Sequence, residues 1–553
     1  PLQYTSLMLL LVLVTGVGVL ATTVGGTLKR NVEDRISYAT AADVRVAGIT
    51  TFSMESIAAE EQRFLSALPG ATGVSLALRQ ETRAAAAPAE ILAIDSLEFP
   101  YITWYREDFS DLSLTAVMGD LRSSARIERL EIPAESSSIG VWVNPREEIP
   151  NTSMWFILEE GNGRLSSQPA GIIGAPGWQL LEVQIPGWMR HPLDLVSIQL
   201  FEAGAGEVTT AGQMLIDDIH TRVGEAQQVH ILDGFEEQHR WMPIVTSTLS
   251  PDRITSTGRT AHSGRRSGVF TFGTENQDGV RGFYQSPTGG PLPVVISAAL
   301  AEAAAFGIDD VIVVPVSERN VPMVVRGVID YFPTMAPAGG RFILADLESL
   351  LGHVNVMSNM IAATPNELFV TQSPIAYDAV RDALDRVFRF SGRVMDRTDM
   401  LESSRLDPLA TSGWNSMVLV VLLTVIVAAG LGYANYLLLF ASRIWSEIGF
   451  LQSMGLSRQQ LTWLLVFEHL SIAVTGLILG TWAGFRTTNL MVSSVAVSET
   501  GERSVPPFVL ITDWTLMLPT YGLLLGIFVV ALALLTFNAR RLGLHAIERM
   551  EAT

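Results

Sequence analysis

Lysine, cysteine and histidine can serve as phosphate ligand, nucleophile and metal ligand, and this sequence offers little of each. Lys29 is the only lysine among 553 residues, there is no cysteine, and eight histidines are scattered along the chain. A phosphate-binding loop of the Walker type needs a lysine followed by Ser or Thr, whereas Lys29 is followed by Arg30. The chain therefore cannot bind ATP in a site of that type by itself.

Other catalytic patterns are missing from the sequence as well. It contains neither the Gly-x-Ser-x-Gly nucleophile elbow nor the His-Glu-x-x-His metal helix, and no two histidines have metal-ligand spacing. Asp217 and Asp218 could contribute oxygen ligands to a calcium site, but neighbours on a predicted strand point to opposite faces, so an ordinary exposed pair is the favoured interpretation. We predict that the chain is not an enzyme and holds no catalytic residue, cofactor or metal.

Composition favours a membrane protein with a large water-exposed part. The formal net charge is −19 and 48% of the residues are hydrophobic, with a mean hydropathy of +0.31. An acidic chain is a poor ligand for nucleic acid, because phosphate binding requires a basic face. The partners are therefore sought in the lipid bilayer and among proteins.

Four uncharged or nearly uncharged runs are long enough to cross a bilayer: residues 7–24, 417–440, 461–485 and 514–537. A signal peptide is the alternative for the first run, although its usual apolar core is shorter. Glu468 and His469 interrupt the third run near its start, where we expect their side chains to reach the membrane surface. The third run also carries a small-residue face for helix packing, formed by Gly476, Gly480 and Gly484.

Arginines predict the orientation. Arg443 and Arg458 lie between the second and third runs, and Arg540, Arg541 and Arg549 follow the fourth. Loops rich in Lys and Arg stay in the cytoplasm, so the long segment between the first and second runs is expected outside the cell membrane.

The predicted fold is a membrane protein with four transmembrane α-helices and a large extracytoplasmic α+β domain, into which an all-β, jelly-roll-like sandwich is inserted. The predicted boundaries are as follows: helix 1 at 1–28, α+β core at 29–124, sandwich at 125–280, α+β core again at 281–410, helix 2 at 411–440, a cytoplasmic coupling helix at 441–460, helix 3 at 461–486, an outer loop at 487–513, and helix 4 with a cytoplasmic tail at 514–553.

The sandwich segment is similar to carbohydrate-binding modules. LDGFEEQHRW (232–241), HSGRRSGVFTF (262–272) and MLIDDIHTR (214–222) resemble their motifs, but the order along the chain is altered. If the segment binds sugar, Trp142, Trp155 or Trp188 would be the stacking platforms; the alternative is that these side chains fill the core or its rim.

The segment ASRIWSEIGFLQSMGLSRQQLTWLLVFEH (441–469) resembles the signature of FtsX/MacB-type ABC transporter permeases. The matching residues are Arg443, Glu447, Ile448, Gly449, Leu451 and Gly455. The segments at 293–316 and 321–334 resemble the periplasmic core of the same family, as does ADVRVAG (42–48).

This resemblance implies a permease of the bacterial plasma membrane that works with a separate ABC ATPase, which would hold ATP and Mg²⁺. Residues 441–460, with Met454 beside the matched positions, would couple ATP hydrolysis to movement of the outer domain by mechanotransmission, for export or for lipid or lipoprotein extraction. Partners would be a second permease half or subunit and a cell-envelope protein, lipid or glycan. Pro1 resembles the start of the second half of a duplicated permease.

A different class of function stays open from the residues alone. The helices could simply anchor a glycan-binding or adhesion domain, in which case Trp142 and Trp188 would matter and Glu447 would not. A membrane-tethered hydrolase is disfavoured by the missing catalytic motifs.

Overall fold

The structure is a computed structural model, and it describes residues 2–50, 56–122, 129–202, 211–237, 241–246, 250–274, 280–335, 340–357, 363–388, 392–406, 413–495 and 505–551. The helices in these residues are α1 (Leu2–Thr40), α2 (Ile57–Ala67), α3 (Phe99–Ile102), α4 (Leu114–Asp120), α5 (Ala298–Ala304), α6 (Leu347–Val356), α7 (Tyr377–Val387), α8 (Arg397–Leu406), α9 (Gly413–Ser453), α10 (Arg458–Val495) and α11 (Trp514–Glu551). Short 3-10 helices occupy Glu107–Phe109 and Pro374–Ala376.

The strands are β1 (Val44–Ala47), β2 (Ala71–Ala84), β3 (Ala87–Ile94), β4 (Glu131–Ile132), β5 (Ser136–Pro145), β6 (Thr152–Glu160), β7 (Leu165–Ile172), β8 (Gln179–Gln184), β9 (Leu193–Glu202), β10 (Gly212–Val223), β11 (Gln228–Asp233), β12 (Trp241–Pro243), β13 (Arg253–Thr257), β14 (Ser267–Phe272), β15 (Val280–Gln285), β16 (Leu292–Ser297), β17 (Val311–Val316), β18 (Arg319–Ile329), β19 (Phe342–Asp346), β20 (Glu367–Gln372) and β21 (Arg393–Asp396). The chain divides into two compact units, residues 1–36 with 398–553, and residues 37–397.

In the first unit, α1, α9, α10 and α11 pack together as a bundle. Each helix contributes to one buried apolar cluster: Leu7, Leu11, Tyr433, Tyr436, Leu465, Ala473, Phe528 and Ala531. Large apolar side chains also lie on the outside, among them Leu419, Val420 and Leu423 of α9. Among the described residues, four helices are long and apolar enough to cross a membrane, at Thr5–Thr40, Ser416–Leu439, Gln459–Met491 and Trp514–Leu534. An apolar outside on such helices fits a membrane protein.

In the second unit, a nine-stranded mixed sheet runs in the order β17-β18-β16-β19-β3-β2-β20-β1-β21. Strands from the two ends of this unit are hydrogen-bonded neighbours in it: β3 pairs in parallel with β19, and β2 pairs antiparallel with β20. Buried apolar side chains cover both faces of the sheet, with Leu76 and Ile343 in one cluster and Leu92 and Phe369 in another. The segments before and after the intervening strands β4 to β15 therefore form one folded core.

Strands β4 to β15 form two six-stranded sheets, which we call the two-sheet region. One has the order β13-β14-β10-β5-β8 with β11 attached to β10, and the other β12-β15-β9-β6-β7 with β4 attached to β9. Val141 and Phe270 from the first sheet and Phe156 and Ile198 from the second are fully buried in one shared cluster. The apolar side chains that the two sheets turn toward each other fill this shared cluster, and their burial holds the sheets face to face.

The two-sheet region is joined to the nine-stranded sheet by a buried seam. Tyr284 of β15 lies in the core cluster of the large sheet, and its Oη is 3.0 Å from Nδ1 of His353 in α6. The His353 Nε2 is 3.0 Å from the Thr288 hydroxyl, and burial lowers the pKa of His353 to about 3. Gln199 Nε2 donates to the Val356 carbonyl at 2.9 Å. A neutral, fully hydrogen-bonded histidine at this seam keeps the two parts in register.

Several helices extend beyond their sequence-predicted ends. The first helix runs to Thr40 and does not end at 28, the second continues through 440 to Ser453, and the third runs to Val495, inside the segment predicted as an outer loop. Polar residues end an apolar run without ending a helix, because Arg, Glu and Gln are good helix formers. The sequence pattern SMESIAAEEQRFLSAL predicts a helix with Ser53 as its N-cap. Ser53 lies outside the described residues, and α2 has Ser56 at the N-cap position.

Candidate functional site

The connection between α9 and α10 is a tight turn at residues 454–457. Gly455 has φ +94°, a left-handed conformation that glycine adopts without steric penalty and that commonly follows the end of a helix. A Cβ added at Gly455 would meet no described atom within 4 Å. The turn therefore requires glycine for its backbone conformation and not for lack of space.

The start of α10 is fixed by a capping box. The Ser457 hydroxyl accepts a hydrogen bond from the Gln460 backbone N–H at 3.3 Å, and the Gln460 side-chain oxygen accepts one from the Ser457 N–H at 3.0 Å. These reciprocal bonds satisfy two backbone donors that helix geometry leaves without partners. The Ser-x-x-Gln spacing is visible in the sequence, and it shows that Gln460, and not its neighbour Gln459, acts in the cap.

Residues 441–460 were predicted to form a separate coupling helix. The structure instead assigns 441–453 to the last turns of α9, followed by the turn and the first residues of α10. No proline interrupts 441–453, so the helix continues until the left-handed Gly455. The Met454 side chain is 66% exposed. Four side chains predicted to act here lie outside the described part of the structure: those of Arg443, Glu447, Ile448 and Leu451. Of Gly449, the structure describes only the helical backbone.

A buried polar pair joins α9 and α10 above this turn. His469 was predicted to reach the membrane surface, but it is only 3% exposed. Its Nδ1 lies 2.8 Å from the Leu465 carbonyl, and its Nε2 lies 3.0 Å from the Tyr436 hydroxyl. The surface prediction for His469 is wrong because both ring nitrogens find partners inside the bundle. A buried histidine in an apolar helix marks a specific helix–helix contact.

The three glycines predicted as a packing face lie against α1. A Cβ at Gly476 would come within 2.8 Å of the Leu11 Cβ, and one at Gly484 within 2.7 Å of the Val19 Cβ. At Gly480 it would meet the Thr15 Cβ at 2.7 Å and the Val12 carbonyl oxygen at 2.8 Å. Small residues spaced by four allow two helix backbones to approach closely. The turn is therefore built on a helix, α10, that is held tightly against α1.

Residues 418–544 match the family model described as FtsX-like permease C-terminal. This part of the chain is similar to FtsX-like permeases. The match begins in α9, passes through the turn at 454–457 and α10, and ends in α11. It supports an FtsX-type permease subunit of an ABC transporter, and it includes the motif from Arg443 to Gly455 but not the segments at 42–48, 293–316 and 321–334. No curated protein matches the chain.

Outside the FtsX-like region (residues 418–544), the second unit has a distinct set of contacts where the chain enters and leaves it. The entering strand β1 pairs antiparallel with the leaving strand β21, Val44 opposite Asp396. Asp43, just before β1, accepts a hydrogen bond at Oδ1 from Arg397 Nη2 at 2.6 Å and at Oδ2 from the Gln372 N–H at 3.0 Å. We call Asp43 and Arg397 the entry–exit clamp, because their ion pair links the segment that enters the second unit to the segment that leaves it.

Behind the clamp lies a buried network of charges across four strands. Glu367 of β20 is 3% exposed and accepts hydrogen bonds from Arg45 Nη2 of β1 at 2.6 Å and from Arg79 Nε of β2 at 2.8 Å. Arg79 also pairs with Glu90 of β3 at 3.1 Å. Arg45 Nη1 donates to the carbonyl of Ala39 in the last turn of α1 at 3.2 Å. The end of α1 is thereby hydrogen-bonded to β1, the strand next to the edge strand β21 of the large sheet.

The tryptophans predicted as glycan contacts do not form one platform. Trp142 lies on β5 and Trp155 on β6, in different sheets. The Trp142 ring stacks on the His262 ring at 3.9 Å between centroids, and the Trp155 indole N–H donates to the Ser153 hydroxyl at 2.9 Å. Trp188 is 57% exposed. The structure therefore does not bring the three rings together, and sugar binding stays a prediction.

Asp217 and Asp218 were predicted to be an exposed pair, and this prediction is wrong. They are 0% and 6% exposed, and the register of β10 against β5 shifts between Asp217 and His220. Asp218, at φ +45°, accepts from the Ser263 hydroxyl at 2.7 Å and lies 2.7 Å from His262 Nδ1. In a regular strand the two side chains would point to opposite faces, but the β-bulge turns both carboxylates toward the same loop. Among the described residues no group of three or more metal-binding side chains could hold an ion.

Proposed function

We propose that this chain is the transmembrane permease subunit of an FtsX/MacB-type ABC transporter and that it couples ATP hydrolysis by a partner ATPase to movement of its large domain. The observation that carries the proposal is the FtsX-like match over α9, α10 and α11. The chain has no lysine that could serve a phosphate-binding loop, so ATP and Mg²⁺ belong to the partner.

The proposed location is the bacterial plasma membrane, with the domain at residues 37–397 outside the cytoplasm. Support comes from the arginines Arg443, Arg458, Arg540 and Arg541, which follow the second and fourth apolar runs. On the positive-inside rule they stay in the cytoplasm. The ATPase would then meet the turn at 454–457 and the last turns of α9.

The proposed route of coupling begins at that turn. Its Gly455 and the Ser457–Gln460 cap make the turn compact, and Met454 offers an exposed apolar side chain to a partner surface. A displacement of α10 would be passed to α1, because Gly480 and Gly484 leave no room between their backbones. Interfaces packed this closely move as units and do not deform continuously.

At the other end, α1 continues without a break to Thr40. Its last turn is hydrogen-bonded to Arg45, and the clamp of Asp43 with Arg397 ties the entering strand to the leaving one. A pull on α1 would therefore act on β1 and, through the clamp, on its neighbour β21. The work done there would be export, lipid or lipoprotein extraction, or force on a cell-envelope protein, with a second permease half or subunit completing the transporter.

The decisive experiment is affinity purification of the full chain from its native membrane in mild detergent. We expect an ABC-type ATPase to co-purify and its hydrolysis to be stimulated by the permease. Glu447→Arg reverses a charge in the matched motif and should abolish this stimulation at unchanged expression, whereas Glu302→Arg, at an exposed position of α5, should have no effect. Gly449→Trp adds a second test within the motif.

Absence of any ATPase from the purified complex would contradict the proposal, as would full stimulation by the Glu447→Arg protein. A glycan-binding anchor predicts the opposite pattern: Glu447→Arg would be silent, and Trp188→Ala would remove binding to cell-surface polysaccharide.

A further inference from the structure

An acidic cleft lies along the seam between the two-sheet region and the helices α2 and α6. Its volume is about 560 Å³. It is lined by six carboxylates and one guanidinium, which belong to Glu60, Glu131, Glu159, Glu160, Asp194, Glu348 and Arg129. Such an excess of one charge along a concave surface concentrates ligands of the opposite charge.

Part of this charge is already neutralised inside the protein. Arg129 Nη1 lies 3.1 Å from an Asp194 oxygen and 3.4 Å from a Glu159 oxygen, and Glu60 forms an ion pair with Arg63. Glu131, Glu160 and Glu348 have no such pairing with any residue that the structure describes. Three carboxylates of the cleft therefore have no ion-pair partner among the residues that the structure describes.

Glu160 is the most unusual of these three. It is 3% exposed, and its Oε1 is buried without a hydrogen-bond partner among the described residues. Its Oε2 accepts from the Arg190 backbone N–H at 3.3 Å. A buried carboxylate oxygen without a donor is unfavourable, because it has lost water and gained nothing in return. A donor that enters the cleft would supply the missing bond.

The walls of the cleft indicate what kind of donor fits. Ile57, Leu165, Leu351 and Val356 line it between the carboxylates, and aliphatic surface of this kind packs against the methylene stems of long cationic side chains. A metal ion needs several ligands converging on one point, and no such group occurs among the described residues. Carboxylates spread along a groove suit a ligand with several separated positive groups.

We propose that this cleft binds a flexible oligocation that carries ammonium or guanidinium groups on aliphatic stems. A free polyamine and a basic peptide segment share this chemistry. The assignment rests on the cleft alone and is independent of the permease function, so either can fail without the other.

The test is isothermal titration of the full chain in detergent with two probes, spermine and an acetylated, amidated tri-arginine peptide. Glu160→Gln keeps the shape and removes the charge, and we expect it to weaken binding by roughly tenfold or more, as for loss of a charged hydrogen bond. Glu302→Gln is the matched control, since it removes one exposed carboxylate of α5 far along the chain, and it should change affinity less than about twofold. Glu131→Gln gives a second variant in the cleft if Glu160→Gln does not fold.

Binding of either probe that depends on Glu160 or Glu131 supports the proposal, and the stronger probe identifies polyamine or peptide as the source. Equal loss in the control and cleft variants would reduce the effect to nonspecific attraction and overturn it. The proposal also fails if neither probe binds, or if Ca²⁺ binds in a Glu160-dependent manner and displaces both probes.

Discussion

Replacement of Gly480 by alanine tests the close contact between α10 and α1. The new Cβ would stand 2.7 Å from the Thr15 Cβ, 2.8 Å from the Val12 carbonyl oxygen and 3.2 Å from the Val12 Cα. Two of these atoms are backbone, so no side-chain rotation relieves the clash. The helices must separate by several tenths of an ångström, and the contacts along the glycine face weaken with them.

The magnitude follows from two opposing effects. Overpacking of a tight contact typically costs about 1–3 kcal/mol, whereas alanine in place of glycine favours a helix by up to about 1 kcal/mol. Gly526→Ala in α11 is the matched control, because no described atom lies within 4 Å of the added Cβ. Since the propensity gain is common to both variants, Gly480→Ala should be less stable than Gly526→Ala by about 1–3 kcal/mol.

Thermal unfolding of the two purified variants in the same detergent, followed by size-exclusion chromatography with fluorescence detection, measures this difference. The Gly480→Ala midpoint should lie below wild type, and the Gly526→Ala midpoint at or slightly above it. Equal midpoints for the two variants would refute the close packing of α10 on α1. If the permease proposal is correct, Gly480→Ala should also reduce stimulation of the ATPase at temperatures where the protein stays folded.

Three further predictions concern single contacts. Ser457→Ala removes the cap of α10 and should lower stability by about 1 kcal/mol in denaturant unfolding, while Gln459→Ala, outside the observed cap bonds, should not. Asp43→Asn breaks the ion pair with Arg397, and hydrogen exchange of the β1 and β21 amides should accelerate, with β16 amides unchanged as the internal control. Burial raises the pKa of Glu61 from 4.5 to about 7, so its contribution to stability is present below about pH 4.5 and is lost as the pH rises through 7. The free energy of unfolding of Glu61→Gln, relative to that of wild type, should therefore rise by on the order of 2 kcal/mol between pH 5 and pH 8. A difference that does not change with pH would show that Glu61 is not the titrating group.

Much of the chain's organisation follows from one-dimensional pattern. An uncharged run of about 20 residues is rare in a soluble protein and needs no partner to be recognised, which is why the four apolar helices were predictable. The motif around Glu447 and Gly455 is similarly local, and it lies in the part that matches FtsX-like permeases. Strands such as β16 and β17 coincide with short apolar runs, a pattern that the sequence displays without any knowledge of the fold.

Helix ends and side-chain partners were less predictable. Lys29 and Arg30 end the apolar run of α1 but not the helix, which reaches Thr40, since charge does not break helical hydrogen bonds. His469 pairs with Tyr436, 33 positions away, and its burial depends on how α9 meets α10. Asp218 faces His262 because a β-bulge in β10 changes the direction of its side chain relative to a regular strand.

The sequence by itself determined that the chain has four apolar helices, a large acidic domain between the first two, and a motif of FtsX-like permeases near the third. Only the tertiary structure decided that Arg45, Arg79, Glu90 and Glu367 meet in one buried network. It also decided that Glu160 lines an acidic cleft and has an oxygen without a hydrogen-bond partner among the described residues. The physical reason is distance along the chain. A propensity or an apolar run is a property of neighbouring residues, whereas charge pairing between strands depends on a register set by the packing of the whole core.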